Sequence, residues 1–165
     1  MKIIINDDKI IVFLNDRNSI KKYKEDVELY FKLLFNKLEN KYNLYINNYN
    51  YLCAYIDYNY GMILELKNDD LEYFFDTDSV KINIFKKHYF LYQIDYNYID
   101  EDILKYCIVY KKNDKFYLKI IKKIDELVFS KILEYSDIIY GEKAIKIEKI
   151  SKKVNYEKTS SSISW

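Results

Sequence analysis

Tyr51-Leu52-Cys53-Ala54-Tyr55-Ile56-Asp57-Tyr58-Asn59-Tyr60-Gly61-Met62-Ile63-Leu64-Glu65-Leu66 is the stretch that decides the fold. Two apolar runs, 51–57 and 62–66, flank Tyr58-Asn59-Tyr60-Gly61. Asn and Gly tolerate the positive φ that a tight turn demands, so the stretch predicts two antiparallel strands joined as a hairpin. Both runs are short and bounded by turn residues, which suits strands better than helix.

Upstream of the hairpin, residues 2–6 and 9–14 read as strand, rich in Ile and Val and broken at Asp7-Asp8. Between them and the hairpin lies an amphipathic helix over 20–42. Ile20, Tyr23, Val27, Tyr30, Phe31, Leu34 and Leu38 recur at steps of three and four, and Ser19 is the candidate N-cap. Residues 44–46 suggest one more short strand. The first half, 1–68, therefore reads as strand, helix, strand, strand.

The acidic stretch 67–78, with Phe74 and Phe75 inside it, is the one candidate internal boundary. A second half, 79–150, then restarts. Val80, Ile82 and Ile84 alternate with polar residues, and a turn through Lys86-Lys87-His88 leads into a partner strand over 89–94. Asp100-Glu101-Asp102 opens a short helix, because acids suit the positive end of a helix dipole. Residues 107–111 and 116–121 form a hairpin around Asn113-Asp114. A second amphipathic helix over 125–140 carries Val128, Ile132, Tyr135 and Ile139 on one face, with Gly141 as its C′ residue. From Ser151 the chain turns to Lys, Asn, Glu and Ser, which predicts a disordered tail over 151–165. Hairpins separated by single helices predict an α+β fold. Its antiparallel hairpins carry the two amphipathic helices on one side, arranged as two small halves.

Composition excludes many activities. The 165 residues contain no Pro, two Gly, one His and a single Arg beside twenty Tyr, a bias that an AT-rich genome would impose. A phosphate-binding loop needs clustered glycines, yet Gly61 and Gly141 stand far apart. Zinc needs about four Cys, His or carboxylate ligands, and Cys53, Cys107 and His88 are scattered. Asp76-Thr77-Asp78 opens like a calcium loop, but Lys81 stands where its Gly belongs and Lys87 where its bidentate Glu belongs. His88, in a turn between Lys87 and Tyr89, has no nucleophile signature near it. The acid pairs Asp69/Glu72 and Glu101/Asp102 read as helix starts rather than as an acid–base couple. No catalytic set, metal or cofactor is expected.

Net charge is +1, but its distribution is uneven. Seven acids stand against Lys67 between Asp57 and Val80, and seven Lys stand against Asp114 between Ile103 and Ile124. Cys53 and Cys107 sit in apolar runs, as buried free thiols of a reducing cytosol do. The longest uncharged stretch, 42–56, carries four Asn and is no membrane span. A cytoplasmic chain is expected.

Met1-Lys2-Ile3, Ile5-Asn6-Asp7-Asp8-Lys9-Ile10 and Val12-Phe13-Leu14 are similar to the opening strand of the MecA family of Clp-protease adaptors of low-GC Gram-positive bacteria. Residues 110–118 resemble its Tyr-rich hairpin, and Ile132-Leu133-Glu134-Tyr135 with Ile138, Ile139 and Ala144 its closing helix. Ser136 stands where the family pattern has Gly, and the chain is shorter than family members. The resemblance implies a non-enzymatic protein-binding adaptor, with an AAA+ unfoldase and a client protein as partners.

The contact is expected at the basic hairpin tip. Lys111, Lys112 and Lys115 would set encounter, and Tyr110 or Tyr117 would supply a rigid anchor. The same Lys and aromatic residues admit an alternative, a small single-stranded nucleic-acid-binding protein. Oligomeric state is left open by the sequence.

Overall fold

A computed structural model describes residues 1–6, 9–49, 51–68, 81–86 and 90–155. Two compact units follow one another, 1–88 and 89–165. The chain is α+β, as its pattern predicts, with antiparallel pairing dominating both sheets.

In the first unit, β1 (Lys2–Ile5), β2 (Lys9–Leu14), β3 (Tyr51–Asp57), β4 (Gly61–Lys67) and β5 (Lys81–Phe85) form one sheet in the order β1-β2-β4-β3-β5. The hairpin expected over 51–66 is present, paired from Tyr51 opposite Lys67 to Asp57 opposite Gly61. Its turn is fixed by the Asp57 carboxylate, which accepts from the N–H groups of Asn59 and Tyr60, both at 2.9 Å. Of the turn residues only Gly61 needs positive φ, at 125°.

Alternation along the strands turns Val12, Leu14, Leu52, Ala54, Ile56, Met62, Leu64 and Leu66 to one face. Against it pack Ile20 and Tyr23 of α1 (Arg17–Glu25) and Phe31, Leu34 and Leu38 of α2 (Val27–Tyr42). Removing any one of these large aliphatic side chains from water contributes about 1.5–3 kcal/mol.

Four local expectations change in this unit. The single helix over 20–42 is two helices, because Asp26 takes an extended conformation and its carboxylate accepts from Leu29 N–H at 2.9 Å, capping α2. Asp16, not Ser19, caps α1, accepting from Asn18 N–H. Residues 44–46 are not a strand. After the left-handed C-cap Asn43, Leu44 and Ile46 plug the core and a 3-10 turn follows over Ile46–Asn48. Lastly, β5 does not pair with the next strand. It lies parallel to β3, Leu52 opposite Ile82 and Tyr55 opposite Phe85, so the first sheet reaches past residue 79, where the sequence suggested a new half. Tyr55 and Phe85 stack there, 5.1 Å between centroids, a cross-strand contact that holds the parallel edge.

The second unit holds β6 (Leu91–Ile94), α3 (Glu101–Leu104), β7 (Cys107–Lys112), β8 (Lys115–Ile120), α4 (Glu126–Tyr135), β9 (Ser136–Ile139), α5 (Gly141–Ile150) and β10 (Lys152–Val154). Its strands run in the order β10-β7-β8-β6-β9, all antiparallel. The β7–β8 turn is the two-residue pair Asn113 and Asp114, with φ of 45° and 59°, the primed turn that suits strand twist.

The helix expected over 125–140 ends at Tyr135. Ser136 is extended (φ −130°), and residues 136–139 add an edge strand to β6. Gly141 is accordingly the first residue of α5 rather than a helix terminator. The segment 132–144, compared above with one closing helix, thus spans a helix end, a strand and a helix start. Residues 152–154, expected in a disordered tail, pair with β7; 156–165 lie outside the described residues, as do Phe74, Phe75, Asp76-Thr77-Asp78, Asp69, Glu72 and His88. Both faces of this sheet are covered. Tyr92 meets Phe129 of α4 edge-on at 5.9 Å on one, while Leu91, Tyr117 and Ile139 pack on Ala144 and Ile147 of α5 on the other.

Candidate partner-binding surface

In the second unit, acids set most of the local geometry. Asp95, Asp100 and Asp125 each begin a turn or helix by accepting a backbone N–H two or three residues on, at 2.9–3.0 Å. Such short side chains satisfy the donors that a helix start leaves orphaned. Asp95 folds Tyr96–Tyr98 into a 3-10 turn that pushes two rings outward.

Those rings meet partners from separate elements. Tyr96 tilts against Phe116 of β8 with centroids 5.2 Å apart. Tyr98 stacks on Tyr135, the last residue of α4, at 4.2 Å and 10° between planes. Tyr96, Tyr98 and Tyr135 remain 54 %, 43 % and 39 % exposed, and Lys111 lies over the Phe116 ring at 5.4 Å. Rings held in place by one another lose little further rotamer freedom on contact with a partner, which is what a binding anchor requires.

Charges rim this patch. Lys131 of α4 bonds the Asp100 carboxylate. Partial burial pulls Asp100 upward, but the bonds from Lys131 and from Ile103 N–H outweigh it and hold the carboxyl below its ordinary range. The Asp100 bond in turn raises Lys131, and a bond to Glu134 raises Tyr135. Lys105 pairs with Asp102 at 2.6 Å.

The five residues singled out in the sequence divide sharply. Lys111, Lys112 and Lys115 do sit at the β7–β8 tip, Lys112 directly opposite Lys115. Lys111 also approaches Asp114 at 3.7 Å. Tyr117 does not join them: at 4 % exposure it lies in the core under α5. Tyr110 is half-buried on the same face, its hydroxyl donating to Glu148 of α5 at 3.1 Å. Burial and the neighbouring Glu148 push the Tyr110 phenol upward. The reason is α5, a stretch to which the sequence reading assigned no element; once it covers this face, neither ring can anchor a partner. Lys119 also bonds Glu148, so at least three of the seven lysines between Ile103 and Ile124 have acids of their own unit beside them.

Tyr96 and Tyr98 were missed as surface residues, although Asp95-Tyr96-Asn97-Tyr98 carries a usable signal. An Asp side chain readily accepts the backbone N–H two residues on and so closes a surface turn, and all four residues of this one are exposed. Among the described residues no three His, Cys, Asp or Glu side chains gather as a metal site, and no helix is long and apolar enough to cross a membrane. No protein-family model, curated protein or solved structure matches the chain.

Proposed function

We propose that this chain is a non-enzymatic protein-binding module, an adaptor joining a client protein to an AAA+ Clp-type unfoldase in the cytoplasm. The observation that carries the binding part is two ring pairs, Tyr96 on Phe116 and Tyr98 on Tyr135, whose three tyrosines are exposed, with Lys111 over the Phe116 ring and the Asp100–Lys131 pair one helical turn before Tyr135. Aromatic anchors inside a charged rim are the ordinary make-up of a protein contact. The choice of partner rests on the MecA-type resemblance of the chain ends. Pull-down of the tagged chain from host lysate tests it: recovery of a Clp-type ATPase by the native chain, lost with Tyr98→Ala and Tyr96→Ala together, supports the reading. Equal recovery by both, or by neither, refutes it.

Single-stranded nucleic acid remains the second reading, favoured by Lys111 over Phe116 and Lys122 over the Tyr106 ring at 5.1 Å. Against it, Tyr110 and Tyr117 are no longer available for bases and acids stand among the lysines. Fluorescence anisotropy with single-stranded oligonucleotides in dilute salt decides it, since lysine contacts weaken steeply as salt rises.

A further inference from the structure

The outward side of α2 carries a stripe without charge. Leu29, Leu33, Asn36 and Asn40 follow one another at steps of four, three and four, the spacing of a coiled-coil seam, and all four are exposed. Leu29 and Leu33 leave 50 % and 60 % of their surface in water, while Phe31, Leu34 and Leu38 on the other side fill the core. A chain that is 32 % charged nevertheless places no charge on this line over three helical turns. Charges flank it instead: Lys32 and Glu39 on one side, Tyr30 and Lys37 on the other.

We propose that α2 is a self-association surface, whose occupant is α2 of a second copy packed antiparallel about a two-fold axis. The flanks select both the occupant and its direction. Run antiparallel, Leu33 meets the partner's Asn36 and Leu29 meets the partner's Asn40. Lys32 then faces the partner's Glu39, Glu39 faces the partner's Lys32, and Tyr30 faces the partner's Lys37. Each of Lys32, Glu39 and Lys37 finds an opposite charge or a ring, and symmetry makes each pair twice. A parallel pair would set Lys32 against the partner's Lys37 on both sides and leave Glu39 unmatched. The seam is only a few turns long and half polar, which puts the contact in the weak, transient class. This inference rests on α2 alone and is independent of the ring pairs of the second unit.

Sedimentation velocity on the full chain, from about 10 μM to about 1 mM, tests it. Reversible dimerisation is expected, lost with Leu33→Ser. Lys32→Glu alone and Glu39→Lys alone should each weaken it about tenfold, because two attractions become two repulsions. An equimolar mixture of those two variants should associate as the native chain does, since every cross-pair is again opposite in sign. Circular dichroism of each variant confirms that α2 is intact. A native chain that stays monomeric throughout, a Lys32→Glu change that strengthens association, or a mixture no better than its components overturns the proposal.

Discussion

Gly61→Ala should markedly destabilise the first unit while leaving the second unchanged. The glycine opens β4 directly behind the Asp57 turn, at φ 125°, a region that L side chains rarely enter. A Cβ built there lies 2.2 Å from the Leu14 carbonyl oxygen and 3.0 Å from the Asp16 nitrogen. Both are backbone atoms, so no rotamer change relieves the clash. Either β2 shifts or the hairpin does, and these strands are paired from Leu14–Met62 to Lys9–Lys67. Strained backbone costs about 1–3 kcal/mol and forced overpacking about another 1–3 kcal/mol. Lower chain entropy in the unfolded state returns at most about 1 kcal/mol. The net loss of about 1–5 kcal/mol is a substantial part of the stability of a unit this size, at roughly 0.05–0.15 kcal/mol per residue. The chain carries its own reporters: Cys53 is buried in the first unit and Cys107 in the second. Thiol labelling across a urea series, read site by site by mass spectrometry, follows each unit separately. Labelling of Cys53 should move to much lower urea and that of Cys107 should stay. A Cys53 profile shifted by less than about 1 kcal/mol would refute the close-approach argument.

Three further outcomes concern the second unit. Asp100 has a folded pKa below its unfolded value, so its contribution is complete above the ordinary carboxylate range and is lost as pH falls through the lowered value; Asp100→Asn should flatten the pH dependence of the urea midpoint, read by circular dichroism, from about pH 5 down through that lowered value. Glu148→Ala takes a partner from both Tyr110 and Lys119, and the urea midpoint should fall by an amount equivalent to about 2 kcal/mol, with much of it restored when Lys119→Met accompanies Glu148→Leu. Tyr98→Ala removes an exposed stack, so thermal midpoints should move by only a few degrees while capture of the protein partner falls.

The 51–66 and 107–121 hairpins were legible in the sequence because short apolar runs flank turn residues, whereas their register was not, and the hairpin expected between 80–84 and 89–94 does not form. Helix limits were less so. Asp26 and Ser136 interrupt apolar periodicities that run straight through them, and a period of 3.6 cannot tell whether an Asp sits on a solvated face or caps a new helix. At 136–139 the sequence Ser-Asp-Ile-Ile suits either state, and the free edge of β6 decides. The parallel pairing of β5 with β3 joins residues about thirty positions apart, a choice that no local pattern records. At the surface, the tip lysines were readable from the Asn113-Asp114 turn, but the fate of Tyr110 and Tyr117 depended on which helix covered their face. That is a tertiary fact.

Left-handed backbone occurs at Asn43, Asn113 and Asp114 as well as at the two glycines. Glycine is the cheapest residue in that conformation, and its codons begin with two guanines; Asn and Asp codons need none or one. A genome drifting towards A and T can therefore lose most glycines and still turn its hairpins, because a short amide or carboxylate can bond to its own backbone and tolerate the same φ. Gly61 marks the limit of that exchange: where a second strand's carbonyl occupies the Cβ position, no codon but glycine's will serve.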